Sequence, residues 1–324
     1  MAIAVAPAYE GSRASMPDDE GYIERDGVRV HWERYGDGPH TIFFLPTWSL
    51  VHSRIWRGQI AYFARHFRVL VFDGRGNGKS DRPLDPSAYQ PNEFVADALA
   101  VMDASGTADA IVVSLSMSTV WNLLLAATQP ERVRAAVFVG PTPYAVADPF
   151  PAWSLQPFNE RLENYDRFEG QNRWFILEHY QQFVEYWMRL VTAEPHSTRA
   201  FEFGVGMALE TTPEVVVATL DSRGAVEAYC MADVLRDVGG VLPAVARQLQ
   251  CPVLVLQGGL DEIAPPHWAK ALARDAAGEF ILFENAGHHP AGRKPVRFNL
   301  ELRQFAERTF TSVSRRNHGR LAHR

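Results

Sequence analysis

The chain has 324 residues, 47% of them hydrophobic and 22% charged, with a net charge of −6. That length suits one large α/β domain carrying an insertion, or two domains, and it allows a sizeable core. A mildly acidic balance with no basic stripe argues against nucleic acid as a partner. The only cysteines, Cys230 and Cys251, form neither a disulfide framework nor a metal-binding spacing, which makes a reducing, cytoplasmic setting the expectation.

Residues 1–20 lack a basic segment followed by a long apolar one, so no signal peptide is read, and a flexible tail is expected there. Val28 to Tyr35 alternates as a half-buried strand does, and Gly36 to Pro39 is a turn. Thr41 to Leu45 is a continuous apolar run, the pattern of a central parallel strand, and it stops at Pro46-Thr47-Trp48-Ser49. A helix is expected over 55–67, then a buried strand over Arg68 to Asp73. The glycines of Gly74-Arg75-Gly76-Asn77-Gly78-Lys79-Ser80-Asp81 do not have P-loop spacing and open no strong helix, so a tight structural turn is read instead of a nucleotide cradle. A helix over Phe94 to Ala104 and a strand over Ala110 to Val113 follow.

The most informative stretch is Ile111-Val112-Val113-Ser114-Leu115-Ser116-Met117-Ser118-Thr119-Val120-Trp121. A β-branched run ends in small hydroxyl residues and turns at once into an apolar helix pattern. No charged residue lies between Ala110 and Pro130, yet the hydroxyls clustered within that run make a membrane span a poor account of it, and no membrane partner is expected. A serine between a strand and a helix N-terminus has the geometry of a nucleophile elbow, usually written G-x-S-x-G, and here both flanking glycines are replaced by serine. Serine is small enough for these crowded positions, and its hydroxyls are also able to bond Ser116 or the substrate. Pro130 closes the helix, and Val133 to Val139 is the next strand. The strand–helix alternation predicts a mostly parallel sheet covered on both faces.

Residues 143–241 break that alternation. Trp174, Phe175, Ile176, Tyr180, Phe183, Tyr186, Trp187 and Leu190 fall at near-helical spacing, which predicts a helical insertion. Most of these aromatics are expected to pack together, with an inner face lining an apolar pocket as a lid. A strand over Pro252 to Gln257, a helix over His267 to Asp275, a strand over Phe280 to Glu284 and a helix over 296–310 complete the core. The basic end, 313–324, is read as a solvated tail.

Three loops follow the carboxyl ends of predicted strands, the edge at which open parallel sheets bind ligands. They carry Ser116, Asp261 and His288. Serine needs a base to take its proton, histidine is such a base near neutrality, and a carboxylate fixes the imidazole. Glu262 competes with Asp261, and His289 with His288. His52 and His196 are read as structural. The chain offers no clear metal-ligand cluster.

With these loops in place the chain resembles the α/β-hydrolase superfamily over nearly all of residues 21–312. The resemblance is carried by the Pro-Thr-Trp turn after Leu45, the Asp73 to Ser80 phrase, the elbow, Gly258 to Pro265 and the late Gly287-His288. It is greatest to the small-molecule esterase, lactonase and C–C hydrolase branch. It implies a core of residues 21–142 and 242–312 with a helical cap over 143–241, Ser116 as nucleophile, Asp261 as acid and His288 as base. It also implies backbone N–H groups of Trp48 and Met117 as the oxyanion hole, a small-molecule substrate and no cofactor. Pro46-Thr47 stands where members commonly have His-Gly. Superfamily members that open epoxides or remove halides use an aspartate nucleophile, and Ser116 sets this chain apart from them. The activity expected is ester or lactone hydrolysis through an acyl-enzyme. Acyl transfer, C–C hydrolysis, cofactor-free perhydrolysis and ligand sensing with little turnover are the alternatives.

Overall fold

The computed structural model describes residues 15–144, 150–222 and 240–321, with side chains to residue 311. Its frame is an eight-stranded sheet: β1 (Asp19–Arg25), β2 (Val28–Tyr35), β3 (Thr41–Phe44), β4 (Arg68–Phe72), β5 (Ala110–Leu115), β6 (Val133–Val139), β7 (Val253–Gly258) and β8 (Glu279–Phe283). The spatial order is β1-β2-β4-β3-β5-β6-β7-β8. The first two pairings, β1 with β2 and β2 with β4, are antiparallel; from β4 to β8 every pairing is parallel.

Apolar runs make this arrangement because side chains alternate across a strand and both faces here are covered. Phe43, Leu70, Val112, Phe138 and Val255 enter one core, with Phe94, Trp121, Trp268 and Leu272 from helices on that side. Their neighbours Phe44, Val71, Val113, Val137 and Leu254 enter the other, against Trp56, Ile60, Phe63, Phe298 and Phe305. The α-helices that precede β6 are α1 (Arg57–Phe63), α2 (Pro91–Ala104) and α3 (Ser118–Thr128). The uncharged run from Ala110 is therefore a buried strand followed by a buried helix. No helix among the described residues is long and apolar enough to cross a membrane.

Between β6 and β7 the described residues form helices and no strand, namely α4 (Arg173–Glu178), α5 (Tyr180–Val191), α6 (Thr198–Ala208), α7 (Pro213–Asp221) and a helical stretch over 240–246. Residues 145–149 and 223–239, with Cys230 among them, lie outside the described residues. This insertion is tied to the strand ends by side chains. Trp48 Nε1 donates to Thr219 Oγ1 at 2.7 Å, Thr211 Oγ1 to the Gly76 carbonyl, and Asn77 Nδ2 to the carbonyls of Ser49 and Met207. The turn from Asp73 to Asp81 is thus a structural brace, and Asp73 inside it accepts N–H bonds from Ser53 and Lys79.

Two ends differ from expectation. Asp19 and Glu20, expected in a flexible tail, begin β1, and Asp18 N–H already bonds the Arg34 carbonyl. This edge strand is charged and exposes Tyr22, so its alternation is too weak to read. At the other end, α8 (Pro266–Asp275) and α9 (Pro290–Arg293) precede α10 (Pro295–Leu321), whose backbone runs through most of the expected basic tail. Once the packed first turns nucleate a helix, each further residue costs little.

Candidate active site

Ser116 sits between β5 and α3 with φ of 57°, a left-handed conformation that costs a residue with a side chain. Its backbone is held there from three sides. Ser116 N–H donates to the Val139 carbonyl at 2.9 Å, and its own carbonyl accepts from Thr119 at 3.0 Å and Thr142 at 3.2 Å. The flanking serines do not bond Ser116. Ser114 Oγ donates to the Val137 carbonyl at 3.1 Å and accepts from Asn122 Nδ2, while Ser118 Oγ donates to the Leu115 carbonyl at 2.9 Å. Both are fully buried. The expectation that they serve Ser116 or a substrate is corrected: packing of α3 on β5 and β6 turns these hydroxyls into backbone ties across the elbow.

Asp261 and His288 come from the turns after β7 and β8. Those turns touch because Gly258 has no Cβ, which would overlap the backbone of Gly287; Gly140 gives the same room beside His288. His288 Nδ1 lies 2.9 Å from Asp261 Oδ2 and 3.1 Å from Oδ1. The carboxylate also accepts N–H bonds from Ile263 and Ala264 and one from Gln257 Nε2. An ionised carboxylate only accepts, so in the neutral imidazole Nδ1 carries the proton and Nε2 keeps its lone pair. Nε2 is buried and has no hydrogen-bond partner among the described residues. Glu262, the sequence competitor of Asp261, is exposed, whereas Asp261 is buried.

Ser116 and His288 line one cavity of about 650 Å³, together with Thr47, Trp48, Trp187 and Met207. Met117 follows Ser116 at the start of α3, and Trp48 follows Pro46-Thr47 after β3. The Trp48 indole stands edge-on to Trp187 at 5.3 Å, so this side chain joins the insertion to the loop. Of the aromatics expected in the insertion, Trp187 reaches the cavity; Phe175 and Phe183 pack in the core beside it.

Three further residues shape the cavity. Thr47 is buried, and its hydroxyl has no hydrogen-bond partner among the described residues. Glu194, from the insertion, accepts the Gly287 N–H at 2.5 Å and so supports the turn that carries His288. His289 lies on the cavity wall with Nε2 buried and unpartnered; burial, then the neighbouring His288 and Arg57, push its pKa down to about 3. Nothing in the local sequence marks Glu194, because its partner Gly287 arrives from a distant segment. His196 also lines the cavity, whereas His52 is buried with Nε2 3.5 Å from Glu210.

Away from the cavity, Glu20, His31 and Glu33 bring donor atoms within 4.8 Å of one another, a grouping not seen in the sequence. Internal partners meet its charges. Arg54 binds both Glu33 oxygens at 2.7 Å, Tyr35 donates to Glu33, and Lys79 lies 3.3 Å from Glu20.

The family profile for the alpha/beta hydrolase fold matches residues 40–295. Epoxide hydrolase 2 of Siraitia grosvenorii is 28% identical over 116 residues, which is 36% of this chain and 36% of that protein. The chain thus spans about a third of the length of this and similar epoxide hydrolases it matches. 3-Oxoadipate enol-lactonase 2 of Acinetobacter baylyi is 24% identical over 274 residues, covering 84% of this chain and 91% of that one. Among solved structures, the enol-lactonase of Burkholderia xenovorans LB400 superposes with a TM-score of 0.67 at 18% identity, over 89% of this chain and 100% of that one. At that identity the likeness is one of fold.

Proposed function

We propose that this chain, which belongs to the α/β-hydrolase fold family, cleaves a small carboxylic ester or lactone through Ser116, His288 and Asp261, with the helical insertion over 143–241 as a cap. The observation that carries this reading is the Asp261–His288 contact, which leaves His288 Nε2 buried and unpartnered on the cavity that also holds Ser116. Apo catalytic hydrogen bonds are commonly long and tighten when substrate binds.

In this mechanism His288 Nε2 takes the Ser116 proton as Oγ attacks the substrate carbonyl. The tetrahedral oxyanion is met by backbone N–H groups of Trp48 and Met117, each worth about 3 kcal/mol in the transition state. Asp261 stabilises the imidazolium and does not take its proton. The C–O bond breaks, the leaving alkoxide receives the proton from His288, and an acyl-enzyme remains. Water then attacks this ester, gives its proton to His288, and the returning proton frees Ser116. For a lactone, alcohol and acid leave in one molecule. No metal or organic cofactor enters these steps. Sparse cysteine usage supports a reducing, cytoplasmic setting.

The test is steady-state hydrolysis of short p-nitrophenyl esters by wild type and by Ser116→Ala. Repeated turnover, reduced to background in the variant, is expected. Turnover that survives in the variant contradicts the mechanism, and product analysis with added alcohol separates hydrolysis from acyl transfer.

A further inference from the structure

The charges on the cavity wall are unbalanced. Arg57, Arg199 and Arg293 line it, opposed by one acid, Glu194. That acid is engaged: one oxygen accepts the Gly287 N–H at 2.5 Å, and the other lies 3.4 Å from the Ser197 hydroxyl. Arg57, the first residue of α1, places its guanidinium carbon over the ring of Phe203 of α6, 3.7 Å from the centroid. Stacking occupies the face of the guanidinium and leaves its in-plane N–H donors available. Among the described residues no carboxylate pairs with Arg57, and burial alone pulls its pKa below the usual arginine value. Arg293 uses Nη2 on the Pro195 carbonyl at 2.8 Å, while its Nε is buried with no hydrogen-bond partner. His289 adds a neutral imidazole with an unpartnered Nε2 on the same wall. Arg57 and Arg199 are exposed and Arg293 is half-buried, and a positive cavity wall with unused donors is complementary to an anion.

We infer that Arg57, with Arg293 and Arg199, forms a carboxylate-binding subsite in the cavity that holds Ser116 and His288, so that the favoured ester or lactone carries a second, ionised carboxylate away from the scissile bond. This rests on the hydrolytic reading above. A planar carboxylate fits the in-plane edge of a stacked guanidinium in bidentate fashion, which a neutral acyl chain does not use. The subsite spans α1, α6 and α9, so the insertion and the core both contribute to it.

Two substrates matched in length isolate the effect: mono-p-nitrophenyl glutarate and p-nitrophenyl pentanoate. Wild type is expected to favour the glutarate hemiester in kcat/KM by about tenfold or more, the size of one charge-assisted pair. Arg57→Gln is expected to lose that preference, Arg57→Lys to keep part of it, and added salt to reduce it. A purely structural role for Arg57 does not move this ratio, because both substrates report on one protein. Turnover of the pentanoate ester with no preference for the hemiester, or a preference that survives in Arg57→Gln, overturns the subsite and leaves the hydrolytic reading standing. If wild type turns over neither ester, the hydrolytic reading fails, and calorimetry with glutarate decides the subsite: binding lost in Arg57→Gln supports it, and absence of binding to wild type overturns it.

Discussion

His288 Nδ1 sits 2.9 Å from Asp261 Oδ2, and that carboxylate is already held by two backbone N–H groups and Gln257. The acid is therefore fixed before the imidazole meets it, and its orientation sets which ring nitrogen is free. Asp261→Asn replaces one acceptor oxygen with a donor and favours the wrong tautomer. The expected loss in kcat is on the order of 10³-fold to 10⁴-fold, read with a short ester. A loss below tenfold contradicts this role for Asp261.

Ser116 carries a side chain at φ of 57°. Glycine accepts that conformation without the Cβ clash. Ser116→Gly is expected to be more stable than Ser116→Ala by about 1 kcal/mol in urea unfolding, with both inactive. Equal stability of the two variants would show that the elbow stores no strain.

Thr47 places a buried hydroxyl without a hydrogen-bond partner on the cavity wall, one residue before Trp48. An orphaned polar group is a cost to folding, so Thr47→Val is expected to leave the unfolding midpoint unchanged or raised. If the hydroxyl donates to charge developing at the substrate carbonyl, kcat falls about tenfold in the same variant, and Thr47→Ser retains activity. Unchanged kcat in Thr47→Val removes Thr47 from the chemistry.

His289 is held neutral, with its pKa pushed down to about 3 by burial first and by His288 and Arg57 after it. The unfolded chain takes up a proton at this residue below its ordinary value of about 6.5, and the folded chain does not. Stability from this group is therefore complete above about pH 6.5 and is lost as pH falls toward 3. By pH 5.5 the loss is on the order of 1 kcal/mol. His289→Gln is expected to shrink the difference in unfolding free energy between pH 7.5 and pH 5.5 by that amount. An unchanged difference contradicts a neutral His289.

The interior of the fold was legible because its strands bury both faces. Thr41 to Phe44, Val133 to Val139 and Val253 to Gly258 are apolar runs bounded by turn residues, a pattern that points to central parallel strands. The edge strand Asp19–Arg25 was not, since charge protects such strands and erases the alternation that reveals them. At the site, Ser116, Asp261 and His288 stood out because each follows a recognisable strand. The polar groups around them did not. Glu194 meets Gly287, and Arg57 meets Phe203, across long sequence separations that no local spacing encodes. The serines at 114 and 118 were visible, but what their hydroxyls bond depended on Asn122 and β6 packing beside them.

The proposed mechanism stands on Ser116 as the nucleophile. The most direct measurement is labelling with a fluorophosphonate, followed by peptide mass mapping. The expected result is one adduct per chain on the peptide containing Ser116, absent in Ser116→Ala and strongly slowed in His288→Ala. An adduct on another residue, or turnover of short esters with Ser116 unlabelled, contradicts it.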